Sequence, residues 1–202
     1  MPRRILVLLA HPAHRRSRAN AALRRAAGEV EGATLHDLYE TYPDFLIDVD
    51  REQALLREHE VIVLQHPVYW YSCPAILKEW LDLVLEHGFA YGRAGTALAG
   101  KALLSAVTAG GTETAYDAAG LNRYSLAEFL RPFEATAHLC RMRWLPPFIV
   151  HGTHLLDAEA LAGQAEAYRA LLQRLREAPA EPLPGALPGA LPEPRDALHG
   201  RP

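Results

Sequence analysis

The chain has 202 residues, 50% of them hydrophobic and 22% charged, with a formal net charge of −3, a composition that excludes disordered and fibrous classes. A pI near 6.4 argues against general nucleic-acid binding, which leaves a basic footprint. Two cysteines, Cys73 and Cys140, cannot build a disulfide framework and point to a reducing cytoplasm. The length leads us to expect one folded domain, and the longest early apolar stretch, Ile5 to Ala10, is too short for a bilayer span or a secretory signal.

In chain order, Arg4 to Ala10 reads as a first strand. Ser17 follows as a helix N-cap, with a helix over Arg18 to Val30. Ala33 to Leu38 is a second, weaker strand. After the turn-like YPDFLID segment, Asp50 with Gln53 resembles a capping box opening a helix through His59. Val61 to Gln65 is a buried third strand. Pro74 suits the first turn of a helix whose apolar face carries Ile76, Leu77, Trp80, Leu81, Val84 and Leu85. Ala102 to Thr108 is strand four, one helix covers Ser125 to Leu139, and Arg143 to Val150 supplies strand five. A last helix runs from Asp157 to Glu177. From Pro179 to Pro202 the chain holds seven of its fifteen prolines, so residues 178–202 are expected to be a disordered or polyproline-like tail on a folded unit of residues 1–177. Five strands alternating with five helices predict an α/β, flavodoxin-like doubly wound parallel sheet with helices on both faces.

In such a sheet the ligand crevice lies beyond the carboxyl ends of the strands, where three unusual segments fall. His11 to Asn20 joins strand one to the first helix; the helix-start N–H groups and Ser17 suit a phosphate, and Arg15, Arg16 and Arg18 add positive potential. An ordinary N-cap with solvated arginines is the plainer alternative. Gln65 to Pro74 carries Tyr69, Trp70 and Tyr71 in succession, which cannot all pack on one face of a regular element. Some are expected to wall a flat ring system and others to pack in the core or a dimer interface. Thr108 to Asp117 carries Gly110 and Gly111, which remove side chains where a backbone would approach a ligand edge. A glycine pair alone also fits a simple turn. Together the three segments point to a planar, phosphate-bearing cofactor, a flavin.

Several motifs are set aside. Gly95 to Ala102, GTALAGKA, nearly matches a nucleotide-binding P-loop, but Ala102 replaces the magnesium-binding Ser or Thr and the string precedes a strand. His11 with His14, and His151 with His154, have ligand-like spacing without joining Cys or carboxylate ligands, so no metal is expected. Neither cysteine opens a phosphatase loop, and no GxSxG elbow occurs.

The strings LAHP, SRAN, YPDFLIDV, QHPVYWYSCPAILKEWLD, HGFAYG, GTALAGK, AVTAGG and WLPPF, spanning about residues 4 to 155, resemble the flavodoxin-fold NAD(P)H:quinone oxidoreductases. Within them the chain is most similar to the ancillary subunits of glutathione-gated potassium efflux systems. That resemblance implies sheet order 2-1-3-4-5 and places flavin contacts on His11, Ser17, Arg18, Ala19, Asn20, Val68, Tyr69, Trp70, Tyr71, Thr108, Ala109, Gly110 and Gly111. Tyr116 falls where the family has a tyrosine that assists hydride transfer; the histidine six residues later in diaphorase-type members is here Asn122. Tyr91 matches an aromatic that reaches into the partner subunit's substrate pocket, implying a homodimer in which Tyr91 and Trp70 wall the acceptor. The implied activity is two-electron reduction of a quinone-like acceptor by NAD(P)H, with FMN favoured over FAD. The competing implication is a regulatory subunit on a membrane potassium/proton antiporter, cytoplasmic or peripheral on the inner face of the membrane, with the flavin site as sensor.

Overall fold

The molecule is described by a computed structural model over residues 2–13 and 17–178. The expected tail from Pro179 onward, with His14, Arg15 and Arg16, lies outside the described residues. The elements are β1 (Ile5–Leu9), α1 (Arg18–Gly28), β2 (Ala33–Asp37), α2 (Leu38–Thr41), α3 (Val49–Glu58), β3 (Val61–Pro67), α4 (Ala75–Val84), β4 (Ala102–Thr108), a 3-10 turn (Glu113–Tyr116), α5 (Leu126–Phe129), α6 (Arg131–Leu139), β5 (Arg143–Trp144), β6 (Phe148–Val150) and α7 (Ala158–Glu177). The sheet is parallel throughout, in the order β2-β1-β3-β4-β5, with β6 also paired to β4. No helix among the described residues is long and apolar enough to cross a membrane.

The central strands are buried on both faces because successive side chains point to opposite sides. Ile5, Val7, Val61 and Val63 pack with Leu23 of α1 and with Tyr168, Leu172 and Leu175 of α7. On the other face Leu6, Leu8, Ile62 and Leu64 pack with Leu56 of α3, with Ile76, Leu77, Trp80 and Val84 of α4, and with Phe133 and Ala137 of α6. The sheet order and the two helical layers agree with the expectation.

Details differ. Asp48 caps α3, accepting from the Arg51 N–H at 3.1 Å. The expected Asp50–Gln53 box is not used; Gln53 is buried and donates to the Val84 carbonyl at 3.1 Å and to Glu86 at 2.8 Å. A helix-start motif read two residues late reflects three acidic residues, Asp48, Asp50 and Glu52, around one helix start, of which only Asp48 has extended backbone. The single helix expected over Ser125 to Leu139 is two, broken at Leu130 before Pro132, the second residue of α6. Strand five is also two pieces, β5 and β6, separated by Leu145 and the adjacent prolines 146 and 147, which cannot donate to a ladder. Seven α-helices thus stand among the described residues where five were expected.

Candidate functional site

The parallel register brings Leu9, Gln65, Thr108 and Val150 to one end of the sheet, so the segments after β1, β3, β4 and β6 form a single crevice rim. At its first corner Ser17 caps α1, its hydroxyl accepting from the Asn20 N–H at 3.2 Å and from Asn20 Nδ2 at 3.4 Å. Capping consumes the third N–H of the helix and leaves those of Arg18 and Ala19 with no acceptor among the described residues, the groups a helix start offers to an anion. Asn20 is 1% exposed and ties this corner to the next, its Nδ2 donating to Thr108 Oγ1 at 2.8 Å while its carbonyl accepts from Gln65 Nε2 at 3.2 Å. The Asn20 Oδ1 is buried with no partner among the described residues. Ala19 is buried beneath the helix start and Arg18 is exposed, bordering a groove between α1 and α7. His11 is buried, its Nδ1 accepting from the Ala13 N–H at 3.0 Å and its ring set edge-on to Tyr69 at 6.1 Å. His11 thus shapes the turn that leads toward Ser17.

The second corner is a tight turn in which Tyr69 and Ser72 exchange hydrogen bonds, at 3.1 and 2.9 Å, around Trp70 and Tyr71. Both central residues have left-handed backbone, φ 49° at Trp70 and 64° at Tyr71. Two-residue turns with positive φ at both positions normally take Asn-Gly; bulky side chains there cost about 1–3 kcal/mol each. The strained turn holds Trp70 94% exposed beside the crevice, with Tyr69 and Tyr71 also exposed. Val68 anchors the turn through its N–H to the Thr108 carbonyl at 2.8 Å.

At the third corner Ala109 is locked into the sheet, its N–H donating to the Val150 carbonyl at 2.9 Å and its carbonyl accepting from Thr153 at 3.1 Å. The Gly110 and Gly111 N–H groups donate to nothing among the described residues. The glycines also make room for neighbours. A Cβ on Gly110 would stand 2.9 Å from His154 Nε2, and one on Gly111 2.9 Å from the Tyr116 ring. Tyr116 is half-buried and burial pushes its hydroxyl pKa up, so it is a protonated donor at neutral pH.

Three neighbours of this corner have no clear sequence signal as site residues. Phe129 stacks on Tyr71 at 5.0 Å and meets Tyr116 edge-on at 6.2 Å. Tyr124 meets Phe129 edge-on at 5.8 Å. His151, set aside above as one of a histidine pair, lies 5.8 Å from Tyr116 between ring centres, and burial lowers its pKa. Asn122 instead donates its N–H to the Ala115 carbonyl and closes a turn. Tyr91 is not at this crevice. It packs edge-on to His87 at 5.5 Å in the loop from α4 to β4, half-buried against its own core. That loop leaves one helix and joins one strand at the end of the sheet opposite the crevice.

The described residues fit a group that is anionic at one end and flat at the other. Undonated N–H groups stand at the α1 start and at Gly110–Gly111, and the Asn20 Oδ1 has unmet acceptor capacity. Exposed rings stand across from them at Tyr69 to Tyr71.

Comparison with known proteins places this architecture. A family described as having a flavodoxin-like fold matches residues 3–175. The chain belongs to that family. It is 54% identical over 167 residues to the glutathione-regulated potassium-efflux system ancillary protein KefG of Escherichia coli O1:K1, covering 83% of this chain and 91% of KefG. A general stress protein 14 of Treponema denticola, solved in complex with FMN, superposes with TM-score 0.82 at 40% identity, covering 85% of this chain and 99% of that one. An NADPH-quinone reductase of P. pentosaceus gives TM-score 0.76 at 34% identity, covering 83% and 96%. The chain thus stands among the flavodoxin-fold quinone oxidoreductases, near KefG.

Proposed function

We propose that the chain is a flavoprotein that holds FMN in the crevice and uses it to reduce quinone-like acceptors at the expense of NAD(P)H. The observation that carries this reading is the pairing of N–H groups that have no acceptor among the described residues, at Arg18–Ala19 and Gly110–Gly111, with an exposed aromatic wall held in a strained turn. The FMN-bound and NADPH-quinone reductase relatives support it.

In this reading Ser17, Arg18, Ala19 and Asn20 hold the phosphate, and Asn20 locks their loop to the end of β4 through Thr108. His11 and Val68 fix the two turns that flank the ring, while Tyr69, Trp70 and Tyr71 cover it. Ala109, Gly110 and Gly111 present backbone to its polar edge. FMN, when bound, supplies hydride acceptance and two-electron delivery. Tyr116, protonated and seated on Gly111, holds a hydroxyl proton beside the reacting edge. Tyr91, remote from its own crevice, lines the acceptor pocket of a second copy together with that copy's Trp70, which makes the homodimer the working unit.

An absorbance spectrum of the purified chain tests the proposal, with flavin bands expected after reconstitution. Ser17→Ala with Asn20→Ala should weaken FMN binding roughly tenfold or more, since hydrogen bonds to a charged phosphate contribute about 1.5–3 kcal/mol each. A protein that refuses FMN in excess would overturn the reading.

The relationship to KefG favours a second reading, an ancillary subunit on a membrane potassium/proton antiporter with the flavin site as sensor. Potassium efflux from vesicles carrying the antiporter, measured with and without the chain, tests it. Stimulation that persists when quinone turnover is absent favours the sensor, and turnover by the isolated chain without any effect on efflux favours the enzyme.

A further inference from the structure

A second cavity opens at the other end of the sheet, where strands begin and helices end. Its volume is about 900 Å³, and its lining includes Arg3, Arg4, Lys101, Arg143 and Glu60. Small-molecule sites fall in the range of about 300–1,000 Å³. Among the described lining residues four side chains are cationic and one is anionic. Glu60 is committed to Arg4, accepting from its backbone N–H at 2.7 Å and from Nη2 at 3.4 Å. Lys101 spends its donors on neutral carbonyls, those of Arg57 at 3.0 Å and His59 at 2.6 Å. Arg143 donates Nε to the Gly100 carbonyl at 3.3 Å, and its Nη1 is buried with no partner among the described residues.

Arg143 as a whole is partly exposed, but a guanidinium nitrogen buried without an acceptor is costly, and an incoming oxyanion removes that cost. Burial and the neighbouring Arg3 charge both push the Arg143 pKa down, and burial, partly offset by Glu60, does the same to Lys101. Cations are therefore crowded here beyond what the described carboxylate neutralises.

The string GTALAGK ends in this cavity, yet it is no P-loop. The Gly100 N–H is already bonded to the Arg141 carbonyl at 2.9 Å and the lysine caps the end of α3, so recognition would fall to the arginine forks, which match phosphate oxygens two at a time. Leaving Arg3 aside, Arg4, Lys101 and Arg143 exceed Glu60 by two positive charges, which suits a diphosphate better than a single carboxylate. We propose that this cavity is a second ligand site, for a small diphosphate-bearing anion. It stands independently of the flavin reading, because it shares no residue with the crevice.

Calorimetric titration of the full chain with sodium pyrophosphate, at fixed ionic strength and with excess FMN present throughout, tests the proposal. One saturable site is expected, weakened roughly tenfold or more by Arg143→Gln, which removes charge-assisted bonds. Arg4→Gln, at an exposed position, should weaken it too by removing one cation and the hydrogen-bonded partner of Glu60, and it keeps the test decisive if the Arg143 variant fails to fold. FMN binding, measured separately, should be unchanged in both. ADP binding at least tenfold tighter than pyrophosphate would identify a nucleotide as the diphosphate source, and equal binding a free diphosphate. Absence of saturable binding, or binding indifferent to both variants, would overturn the proposal. So would tighter binding of polyglutamate than of either phosphate compound, which would make the cavity a docking point for an acidic protein.

Discussion

Trp70 and Tyr71 carry a conformational cost at the crevice, with φ of 49° and 64° in a turn that would suit glycine. Trp70 is almost wholly exposed, so its ring contributes little to the core in return. Trp70→Gly should therefore raise unfolding stability by about 0.5–1 kcal/mol in urea titration, while the same variant loses flavin affinity in fluorescence titration. Loss of stability would mean the ring packs against something the single chain lacks. Tyr116→Phe removes only a hydroxyl, so flavin content should persist while flavin reduction slows in stopped flow; equal rates would reduce Tyr116 to a packing role. His66 lies one residue before the end of β3, fully buried, its Nδ1 bonded to the Pro67 carbonyl at 2.9 Å, and burial pushes its pKa from 6.5 down to about 4. Between those values the unfolded chain takes up a proton that the folded chain refuses. The stability conferred by a neutral His66 is thus complete above pH 6.5, declines as pH falls and is gone near pH 4, a loss of about 3 kcal/mol. His66→Gln should flatten the stability curve across that window, whatever it does to stability at pH 7.5. An unchanged slope would place the acid sensitivity elsewhere.

The elements around β2 are tied by one buried carboxylate. Glu52 on α3, 0% exposed, accepts from His36 of β2 at 2.7 Å, from the Tyr42 hydroxyl after α2 at 2.6 Å and from Trp80 of α4 at 2.7 Å. Burial alone would raise its pKa, but these bonds outweigh burial and hold it below the ordinary 4.5. Its contribution is present above pH 4.5 and is lost as pH falls through the lower folded value. Glu52→Ala leaves three buried groups without their acceptor, and should cost about 3–5 kcal/mol in urea unfolding. A loss under 1 kcal/mol would show that water satisfies them. The elements at the opposite edge of the sheet are organised by proline. The prolines 146 and 147 interrupt strand five, and β6 then restarts pairing at Ala106 to Thr108 and carries His151 to Tyr116.

At the scale of the whole molecule the crevice and Tyr91 lie toward opposite ends of the sheet, so one copy cannot bring them together. If a homodimer supplies the missing wall, Tyr91→Ala should raise the KM for quinone with flavin content unchanged. Mixing it with the Ser17/Asn20 double variant should create a heterodimer whose single flavin site has a wild-type Tyr91 roof. Partial recovery of KM on mixing is the expected result, and no recovery after confirmed subunit exchange would count against a shared site.

Apolar strand runs, the Ser17 cap and the glycine pair are local signals, and they suffice for the strands, the layers and the three crevice segments, while the sheet order is implied by the family resemblance. Short continuous apolar runs mark strands buried on both faces and repetition about every four residues marks the buried face of each helix, and such elements permit few packings. The α3 start was not readable to the residue, because three acids compete there and only backbone geometry selects Asp48. The left-handed turn at Trp70 and Tyr71 runs against local preference, so only surrounding structure can impose it. Distant partners were equally invisible. Asn20 meets Thr108 across 88 residues, His36 and Trp80 meet on Glu52, and His151 meets Tyr116. Four cationic side chains scattered from Arg3 to Arg143 line one cavity only because four parallel strands, β1, β3, β4 and β5, begin beside one another. The sequence by itself determined which segments reach each end of the sheet. The tertiary structure decided which side chains meet there, since contact between residues far apart in the chain depends on closing the whole sheet.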